Sequence, residues 1–288
     1  VQGRGCIETK MKIAVIGSGI SGLSAAYYLS KKHHVDLFER EDHFGGHSYT
    51  YDILEKPENK KISVDLGFIV FNELTYPNLI NFFKELKVQY EKSDMSFSVS
   101  VKDSTIEYGG KGFNALFAKK NNLFNFNFIK MIYEIISFYK TAPILLNKDT
   151  KNLTLGNYLN NSKLSKYFIN YHIIPMVAAI WSMPFSKAKD IPLELFLNFF
   201  NNHGLFKLKN RPQWYTVTNR SKTYVSKILK KISGNYFKNY KVNKIIRNNY
   251  NVRLFINSLQ DYLDYDQVVL SCHADESLQL IENPSIEE

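Results

Sequence analysis

The chain has 288 residues, of which 44% are hydrophobic and 22% charged, the composition of an ordinary globular protein with a sizeable core. Its formal charge of +10 makes nucleic acid and anionic membrane the first partners to consider. We expect no nucleic acid, because the lysines are scattered and no zinc finger, RNP motif or regularly spaced basic helix is present. A Lys-, Asn- and Ile-rich composition is the plainer explanation of the charge, and attraction to lipid headgroups or an anionic substrate is the alternative.

Cysteine usage and hydropathy indicate the compartment. Cys6 and Cys272 lie far apart and suggest neither a disulfide framework nor a metal site, so a reducing cytoplasm is expected. The most apolar run, residues 173–183, contains Pro175 and is too short to span a bilayer. Residues 1–10 carry no pattern and are expected to be an unstructured leader or an upstream extension.

The first patterned segment predicts a βαβ unit. Residues 12–16 are a short β-branched run, residues 21–32 have helical periodicity, and residues 34–38 form a second strand. Strand, glycine turn, helix and strand in such close succession indicate a parallel sheet.

The next segments mix strands with one helix. A strand is predicted over residues 63–70 and a helix over residues 75–87. Apolar residues alternate with polar ones over residues 95–101, so this strand should be half-exposed and should pair with residues 105–108 across a polar turn.

From residue 112 to about residue 231 the pattern becomes mostly helical. The clearest helices are residues 128–141, which should end before Pro143, and residues 195–200. Strands then return as a hairpin over residues 241–256, turning at residues 248–251, and as a short buried strand over residues 267–270.

The strongest signal lies between the first strand and its helix. A GxGxxG motif is formed there by Gly17, Ser18, Gly19, Ile20, Ser21 and Gly22. Gly17 permits a tight turn, Gly19 lets the backbone approach a pyrophosphate, and Gly22 allows close packing of helix on strand. The free N–H groups and the dipole of the helix N-terminus favour an anion there. Glycines that serve only the tight turn are the alternative.

The residues after the second strand discriminate between dinucleotides. Glu39 ends that strand, where its carboxylate can accept hydrogen bonds from an adenosine ribose of either NAD or FAD. Gly45 and Gly46 follow, and they would bring a second stretch of bare backbone to the diphosphate, as the longer flavin dinucleotide requires. We therefore predict FAD as the cofactor, with NAD(P) as the alternative.

Together these motifs resemble the flavin amine oxidase and phytoene desaturase superfamily. Within it the chain looks like one bacterial branch of predicted NAD/FAD-binding, amine-oxidase-like proteins, often encoded beside cyclopropane-fatty-acid-synthase-like genes. The resemblance covers nearly the whole chain from Met11. It extends through residues 65–72, 75–79, 93–98, 175–182, 202–205 and 211–214.

The resemblance implies a set of site residues. The implied cofactor-binding residues are Gly17, Ser18, Gly19, Ile20, Ser21, Gly22, Glu39, Arg40, Gly45, Gly46, His47, Gly67, Phe68 and Val242. Of these, Gly67 and Phe68 would lie near the isoalloxazine, Val242 would offer a backbone contact to the adenine side, and His47 is alternatively a surface histidine.

Other candidates are weaker. His203, Trp214 and Tyr215 could line a substrate cavity, although core packing is the plainer interpretation. No catalytic residue is indicated, and no metal site is expected, since His172 and His273 have no partners at ligand spacing.

The sequence departs from the resembled family in two places. Relatives usually have a glycine pair where this chain has Thr218, Asn219, Arg220 and Ser221. The family's C-terminal glycine and acid motif is absent and relatives run longer, so we expect a C-terminally truncated chain with an incomplete flavin site.

The predicted fold class is α/β: a Rossmann-like FAD-binding domain, with a parallel sheet plus a β-meander, interrupted by a mostly helical substrate or cap region. The predicted division is a leader at residues 1–10, FAD-binding and first substrate-domain strands at 11–110, the helical region at 111–235, and a return to the FAD-binding domain at 236–288.

The predicted function is an FAD-dependent oxidoreductase that removes hydride from a C–H bond of an apolar substrate, expected to be a lipid acyl chain. The alternatives are a non-catalytic flavin- or lipid-binding partner of a lipid-modifying methyltransferase, and an amine oxidase. The expected location is the cytoplasm, with peripheral contact at the anionic inner membrane surface. The sequence does not indicate an oligomeric state.

Overall fold

The computed structural model describes residues 10–102, 106–257 and 261–288. It divides into two compact units, which we call the sheet unit (Val1–Val70, Asn78–Glu91 and Tyr215–Glu288) and the helical unit (Phe71–Pro77 and Lys92–Trp214). The predicted leader falls almost wholly outside the described residues.

The strands, in chain order, are β1 (Lys12–Ile16), β2 (His34–Phe38), β3 (Thr50–Glu55), β4 (Lys60–Asp65), β5 (Phe71–Asn72), β6 (Tyr90–Ser93), β7 (Ser98–Ser100), β8 (Glu107–Gly109), β9 (Trp214–Val217), β10 (Gly234–Phe237), β11 (Val242–Arg247), β12 (Val252–Ile256), β13 (Tyr262–Tyr265) and β14 (Gln267–Leu270).

The helices are α1 (Ile20–Leu29), α2 (Pro77–Glu85), α3 (Gly112–Leu116), α4 (Phe126–Thr141), α5 (Leu155–Asn160), α6 (Lys166–Phe168), α7 (Ile174–Ile180), α8 (Leu193–Asn202), α9 (Lys222–Leu229) and α10 (Ala274–Leu280). Short 3₁₀ segments cover Lys120–Phe124 and Ala142–Asn147, and a π-helical turn covers Ile169–Ile173. None of the helices among the described residues is long and apolar enough to cross a membrane.

A parallel sheet forms the centre of the sheet unit. Its strand order is β10-β2-β1-β14, and every neighbouring pair is parallel. Ala14 and Val15 of β1 and Val35 of β2 have no exposed surface, as expected of central strands covered on both faces. The predicted strands β1, β2 and β14 and the predicted α/β class with a parallel sheet are confirmed.

A three-stranded antiparallel meander, β11-β12-β13, lies between β10 and β14 in the chain. The β11–β12 hairpin turns at residues 248–251, as predicted. The Asn248 N–H donates to the Asn251 carbonyl over 2.9 Å and closes the turn. The side chains of Val242, Leu254 and Tyr265 pack with Phe38 of β2 in one core cluster. The strands β10 and β13 were not predicted, since neither shows a clean alternation of apolar and polar residues.

The predicted strand over residues 63–70 is wrong in its bounds. The chain forms an antiparallel hairpin of β3 and β4 that ends at Asp65. Beyond it the Phe68 N–H donates to the His47 carbonyl over 2.7 Å, which holds this stretch as a loop against the residues after the glycine pair.

In the helical unit, α4 and α8 confirm the two predicted helices and extend each of them. Asn125 caps α4 by accepting a hydrogen bond from the Phe128 N–H over 3.2 Å. The helix ends at Thr141, before Pro143 as predicted, and a 3₁₀ segment follows from Ala142. Aromatic side chains fill the core of this unit, and they include Phe138, Phe168, Phe196, Phe200 and Phe206.

The two units divide the chain differently from the predicted scheme at three stretches, the shortest of which is Phe71–Pro77 in the helical unit. Residues 92–110 cluster with the helical unit, because Val99 of β7 and Tyr108 of β8 pack into its core. Residues 215–235 cluster with the sheet unit, where Tyr224 and Ile228 of α9 are buried. The predicted β7–β8 pairing is present with Val99 opposite Tyr108. The predicted turn at residues 102–104 lies outside the described residues except for Lys102.

Candidate dinucleotide-binding site

The glycine turn begins where β1 ends. Gly17 has a φ of +96°, a backbone conformation that favours glycine, and its N–H donates to the Phe38 carbonyl over 2.8 Å. A side chain here would meet the Ser271 carbonyl oxygen at 2.8 Å. The first glycine is therefore required by the neighbouring strands alone.

The third and second glycines differ in what surrounds them. A Cβ on Gly22 would lie 1.8 Å from the Gly17 carbonyl oxygen, so this glycine lets α1 pack against the turn. A Cβ on Gly19 would meet nothing within 4 Å. Gly19 is also the N-cap of α1, with no side-chain cap and no acidic residue in the first turn, which leaves N–H groups and a helix dipole available to an anion.

The glycine pair lies beside this turn. The Gly45 N–H donates to both the carbonyl and the hydroxyl oxygen of Ser18, each over 3.1 Å. Gly46 has a φ of +55°, and a Cβ on it would stand 3.0 Å from the Gly19 Cα. The structure therefore brings the two bare stretches of backbone together, which sequence spacing alone could only suggest.

Glu39 is buried at the end of β2 and holds the turn. Its carboxylate accepts hydrogen bonds from the Ser18 N–H over 3.0 Å, the Ser18 hydroxyl over 2.5 Å and the Glu41 N–H over 3.0 Å. Charge-assisted bonds of this kind are the stronger class. The carboxylate thus positions the glycine turn, and its predicted contact with a ribose stays a prediction.

Arg40 and His47 both lie at the surface. Arg40 pairs with Glu276 of α10 over 2.7 Å and with Glu41 over 3.1 Å. The His47 ring stacks on the ring of His273, with centroids 6.0 Å apart. Sequence reasoning set His273 aside, although the signal was available: it follows β14, and the carboxyl ends of parallel strands meet at one edge.

Gly67 and Phe68 lie next to His47. A Cβ on Gly67 would stand 2.3 Å from the His47 carbonyl oxygen, and the Phe68 carbonyl accepts a bond from the Ser221 hydroxyl over 3.2 Å. Val242 begins β11, and its side chain is buried in the meander core. The predicted flavin and adenine contacts of these residues stay predictions.

The departure from the family's glycine pair has a structural counterpart. Asn219 and Arg220 have φ values of +63° and +72°, so both hold a left-handed backbone that non-glycine residues adopt at a cost. The Arg220 Nε–H donates to the Ser63 carbonyl over 3.0 Å, which offsets part of that cost. The chain keeps the glycine-type conformation without the glycines.

The predicted substrate residues take part in aromatic packing. The rings of His203 and Trp214 are nearly parallel at 6.3 Å, and His203 also stacks on Phe199 at 4.1 Å. Tyr215 packs against Tyr90 at 5.3 Å within the sheet unit. The plainer interpretation, packing, accounts for these contacts, and a substrate role stays a prediction.

A cavity of about 550 Å³ lies within the helical unit, and none of the predicted substrate residues lines it. Its walls come from α4, α5 and the loops next to α5. They are Tyr133, Glu134, Ser137, Leu153, Asn157, Tyr158, Asn161, Ser162, Lys163 and Leu164.

His172 is the centre of a buried polar network in the helical unit. Its Nδ1 lies 2.9 Å from the Tyr108 hydroxyl and its Nε2 lies 2.9 Å from the Tyr139 hydroxyl. Burial lowers the pKa of His172 to about 3 and raises the pKa of Tyr139 to about 12. The imidazole is therefore neutral, with one nitrogen donating and the other accepting.

The π-helical turn and Pro175 explain how this network is completed. Pro175 has no N–H to donate to the Tyr171 carbonyl four residues earlier. The Tyr108 hydroxyl donates to that carbonyl instead, over 2.8 Å. Tyr108 then accepts from the His172 Nδ1–H, and His172 Nε2 accepts from Tyr139.

Among the described residues, no group of three or more His, Cys, Asp or Glu side chains could hold a metal ion. The partners of His172 are the hydroxyl groups of Tyr108 and Tyr139, and the ring of His273 stacks on that of His47.

Comparison with known proteins shows a domain, a partial sequence match and a fold in common. The family model described as NAD(P)-binding Rossmann-like domain matches residues 15–86. A 1-hydroxycarotenoid 3,4-desaturase of Flavobacterium sp. (strain P99-3) is 32% identical over 157 residues, 53% of this chain and 26% of that protein. The similarity to the desaturase therefore extends over a longer stretch than residues 15–86, which the family model matches.

Two solved structures show the same fold. Cyclohexylamine oxidase from Brevibacterium oxydans IH-35A has a TM-score of 0.68 at 17% identity, over 95% of this chain and 60% of that one. An oxidoreductase from Methanosarcina mazei has a TM-score of 0.60 at 19% identity, over 96% of this chain and 63% of that one.

These matches cover about a quarter of the curated relative and about six tenths of the two solved chains. They confirm the Rossmann-like fold and a similarity to members of the predicted superfamily, and they leave the bacterial branch as a prediction. The chain carries an NAD(P)-binding Rossmann-like domain, is similar in sequence to a carotenoid desaturase, and shares its fold with cyclohexylamine oxidase.

Proposed function

We propose that the glycine turn of the sheet unit binds FAD and that the protein is an FAD-dependent oxidoreductase acting on an apolar substrate. One observation carries the proposal: Gly17 and Gly22 are required by internal packing, whereas the space at Gly19 touches no protein atom. No protein atom requires a glycine at position 19, and the absence of a side chain there would allow a ligand to approach the backbone.

The residues around this space suit a dinucleotide diphosphate. The N-terminus of α1 offers N–H groups and carries no acidic residue in its first turn. Gly46 stands against Gly19, so two stretches of backbone without side chains would face the same diphosphate. This second stretch favours FAD over NAD(P).

Each protein group has a positioning role. The Glu39 carboxylate accepts hydrogen bonds from Ser18, and Ser18 in turn accepts one from Gly45. One buried carboxylate thus holds the glycine turn and the glycine pair next to each other. When bound, FAD would supply the oxidant, accepting a hydride from a substrate C–H bond while a proton leaves the adjacent atom, so that C=C or C=N forms. Such a reaction depends on orientation and exclusion of water more than on a strong side-chain base.

The proposed substrate class is a lipid acyl chain. The partial match to a carotenoid desaturase supports an apolar substrate, and the fold shared with cyclohexylamine oxidase makes an amine the second candidate. The wide spacing of the cysteines supports a cytoplasmic location.

The test is anaerobic reduction of bound flavin. The protein is loaded with FAD, and its visible flavin absorbance is followed after adding phospholipid vesicles with unsaturated chains or, separately, cyclohexylamine. Bleaching by the lipid and not by the amine supports the proposal. Bleaching by the amine alone replaces the substrate class, and a protein that retains no FAD overturns the proposal.

A further inference from the structure

One side of α4 and the 3₁₀ turn before it exposes apolar side chains to solvent. Phe124 is 91% exposed, Phe126 82% and Tyr133 72%. Three aliphatic residues, between 37% and 42% exposed, complete what we call the α4 face: Leu123, Ile129 and Ile136. Helix surfaces of globular proteins are ordinarily polar on the side away from the core, so this face is unusual.

The exposure follows the helix period. Phe126, Ile129, Tyr133 and Ile136 recur at intervals of three, four and three residues, which places them along one side. The opposite side of α4 is anchored in the core of the helical unit, with Phe128, Met131, Phe138 and Tyr139 buried. The core thus holds the helix in place while its outer side stays apolar.

The charge along this stretch of the chain is mostly positive. Within residues 111–148 there are six lysines and one acidic residue, and two of the lysines form ion pairs with acids outside the stretch, Lys111 with Asp94 and Lys119 with Glu107. The acid, Glu134, is buried and accepts hydrogen bonds from the backbone N–H and hydroxyl of Ser165, so it does not neutralise the surface. Lys130 and Lys140 are exposed on α4 itself, beside the apolar row.

We propose that the α4 face docks on an anionic phospholipid membrane. A row of exposed aromatic and aliphatic side chains flanked by lysines matches a surface that is apolar inside and negatively charged outside. Phe124 and Phe126 would enter the boundary between headgroups and acyl chains, while Lys130 and Lys140 would bind lipid phosphates with their apolar stems alongside the helix. An acidic protein partner is the competing occupant. This inference does not depend on the proposed redox activity, because binding is measured without turnover.

The experiment is co-sedimentation of the protein with vesicles of phosphatidylcholine alone or with added phosphatidylglycerol. We expect binding to the anionic vesicles that weakens as salt is raised, and little binding to the neutral ones. Absence of binding to anionic vesicles at low salt overturns the proposal and leaves the acidic protein partner as the occupant.

Two double variants separate the two components. Lys130→Glu with Lys140→Glu should lower the partition onto anionic vesicles by about thirtyfold or more. Phe124→Ser with Phe126→Ser should lower it by about tenfold or more even at low salt. The two variants change different kinds of side chain, so if one of them fails to fold, the other still tests the proposal.

Matched controls carry the same chemical changes elsewhere. Lys230→Glu with Lys231→Glu changes the net charge equally in the sheet unit, and Tyr250→Ser removes an aromatic side chain that is 95% exposed. Both controls should bind as the wild type does. If the controls and the α4 variants lost vesicle binding equally, net charge or nonspecific hydrophobic adsorption would drive binding. That result would contradict a specific docking face.

Discussion

The glycine turn of the sheet unit and the His172 network of the helical unit both bury polar groups, and they do so to different ends. In the helical unit the hydrogen-bond chain runs from Tyr139 through His172 and Tyr108 to the Tyr171 carbonyl, and every group along it has a partner. In the sheet unit Glu39 and Ser18 position the glycine turn, and the space beside Gly19, where a side chain would lie, is unfilled. A strongly shifted pKa marks the structural network, whereas unfilled space marks the candidate site.

The largest expected effect on stability is at Gly22, which packing requires to be glycine, in contrast to Gly19, where the proposed ligand would approach. Gly22→Ala places a Cβ 1.8 Å from the Gly17 carbonyl oxygen, which α1 can relieve only by moving away from β1. We expect a loss of more than about 4 kcal/mol in the free energy of unfolding, measured by urea denaturation with far-ultraviolet circular dichroism.

Gly19→Ala is the matched control for this effect. Gly19 has a φ of −61°, which alanine adopts freely, and its Cβ would meet no protein atom within 4 Å. Its unfolding free energy should stay within about 0.5 kcal/mol of wild type. Equal destabilisation by the two alanines would show that Gly19 also serves packing.

The next effect concerns Glu39. Glu39→Gln would turn an amide N–H₂ toward donors of Ser18 or Glu41, so that at least one charge-assisted hydrogen bond is lost inside the protein. We expect the unfolding free energy to fall by about 2–3 kcal/mol. The exposed neighbour gives the control, since Glu41→Gln should change it by no more than about 0.5 kcal/mol. Indistinguishable urea midpoints for the two variants would argue against a positioning role for Glu39.

A smaller and pH-dependent effect tests the closed network. The folded-state pKa of His172 is about 3, below its unfolded value, so below about pH 6.5 the unfolded chain takes up a proton that the folded chain does not. Stability should therefore fall as pH falls, by about 2 kcal/mol between pH 7 and pH 5 from this group alone.

Tryptophan fluorescence can follow the pH-dependent unfolding of the helical unit, because Trp181 and Trp214 both lie in it. His172→Phe should be less stable at pH 7, since it leaves tyrosine hydroxyls without a partner, yet it should lack this loss between pH 7 and pH 5. The same acid-dependent loss in wild type and variant would assign the effect to other groups.

The sequence predicted the sheet unit better than the helical unit for a physical reason. The strands β1, β2 and β14 are buried on both faces, and the glycine turn must have glycines, so local composition reports the structure directly. The hairpin β3–β4 escaped prediction because most of its side chains are exposed and no apolar face imposes a period of two.

The His172 network escaped prediction because its partners are distant in the chain. Tyr139 and Tyr108 lie 33 and 64 residues away from His172, and no spacing rule joins them. The one local signal was Pro175, which removes a donor from the Tyr171 carbonyl without indicating what replaces it. The sequence does carry a signal for His273, because it follows the parallel strand β14 and so lies at the strand edge where the glycine turn is.

The most direct test of the proposed flavin site is FAD binding by wild type and Gly19→Ala, measured by quenching of FAD fluorescence and repeated with NAD⁺ as competitor. We predict that wild type binds FAD more tightly than NAD⁺ and that Gly19→Ala binds FAD at least about tenfold more weakly while unfolding at the wild-type midpoint. Equal FAD affinity for the two proteins, or tighter binding of NAD⁺ than of FAD, would contradict the claim that the open backbone at Gly19 is a flavin dinucleotide site.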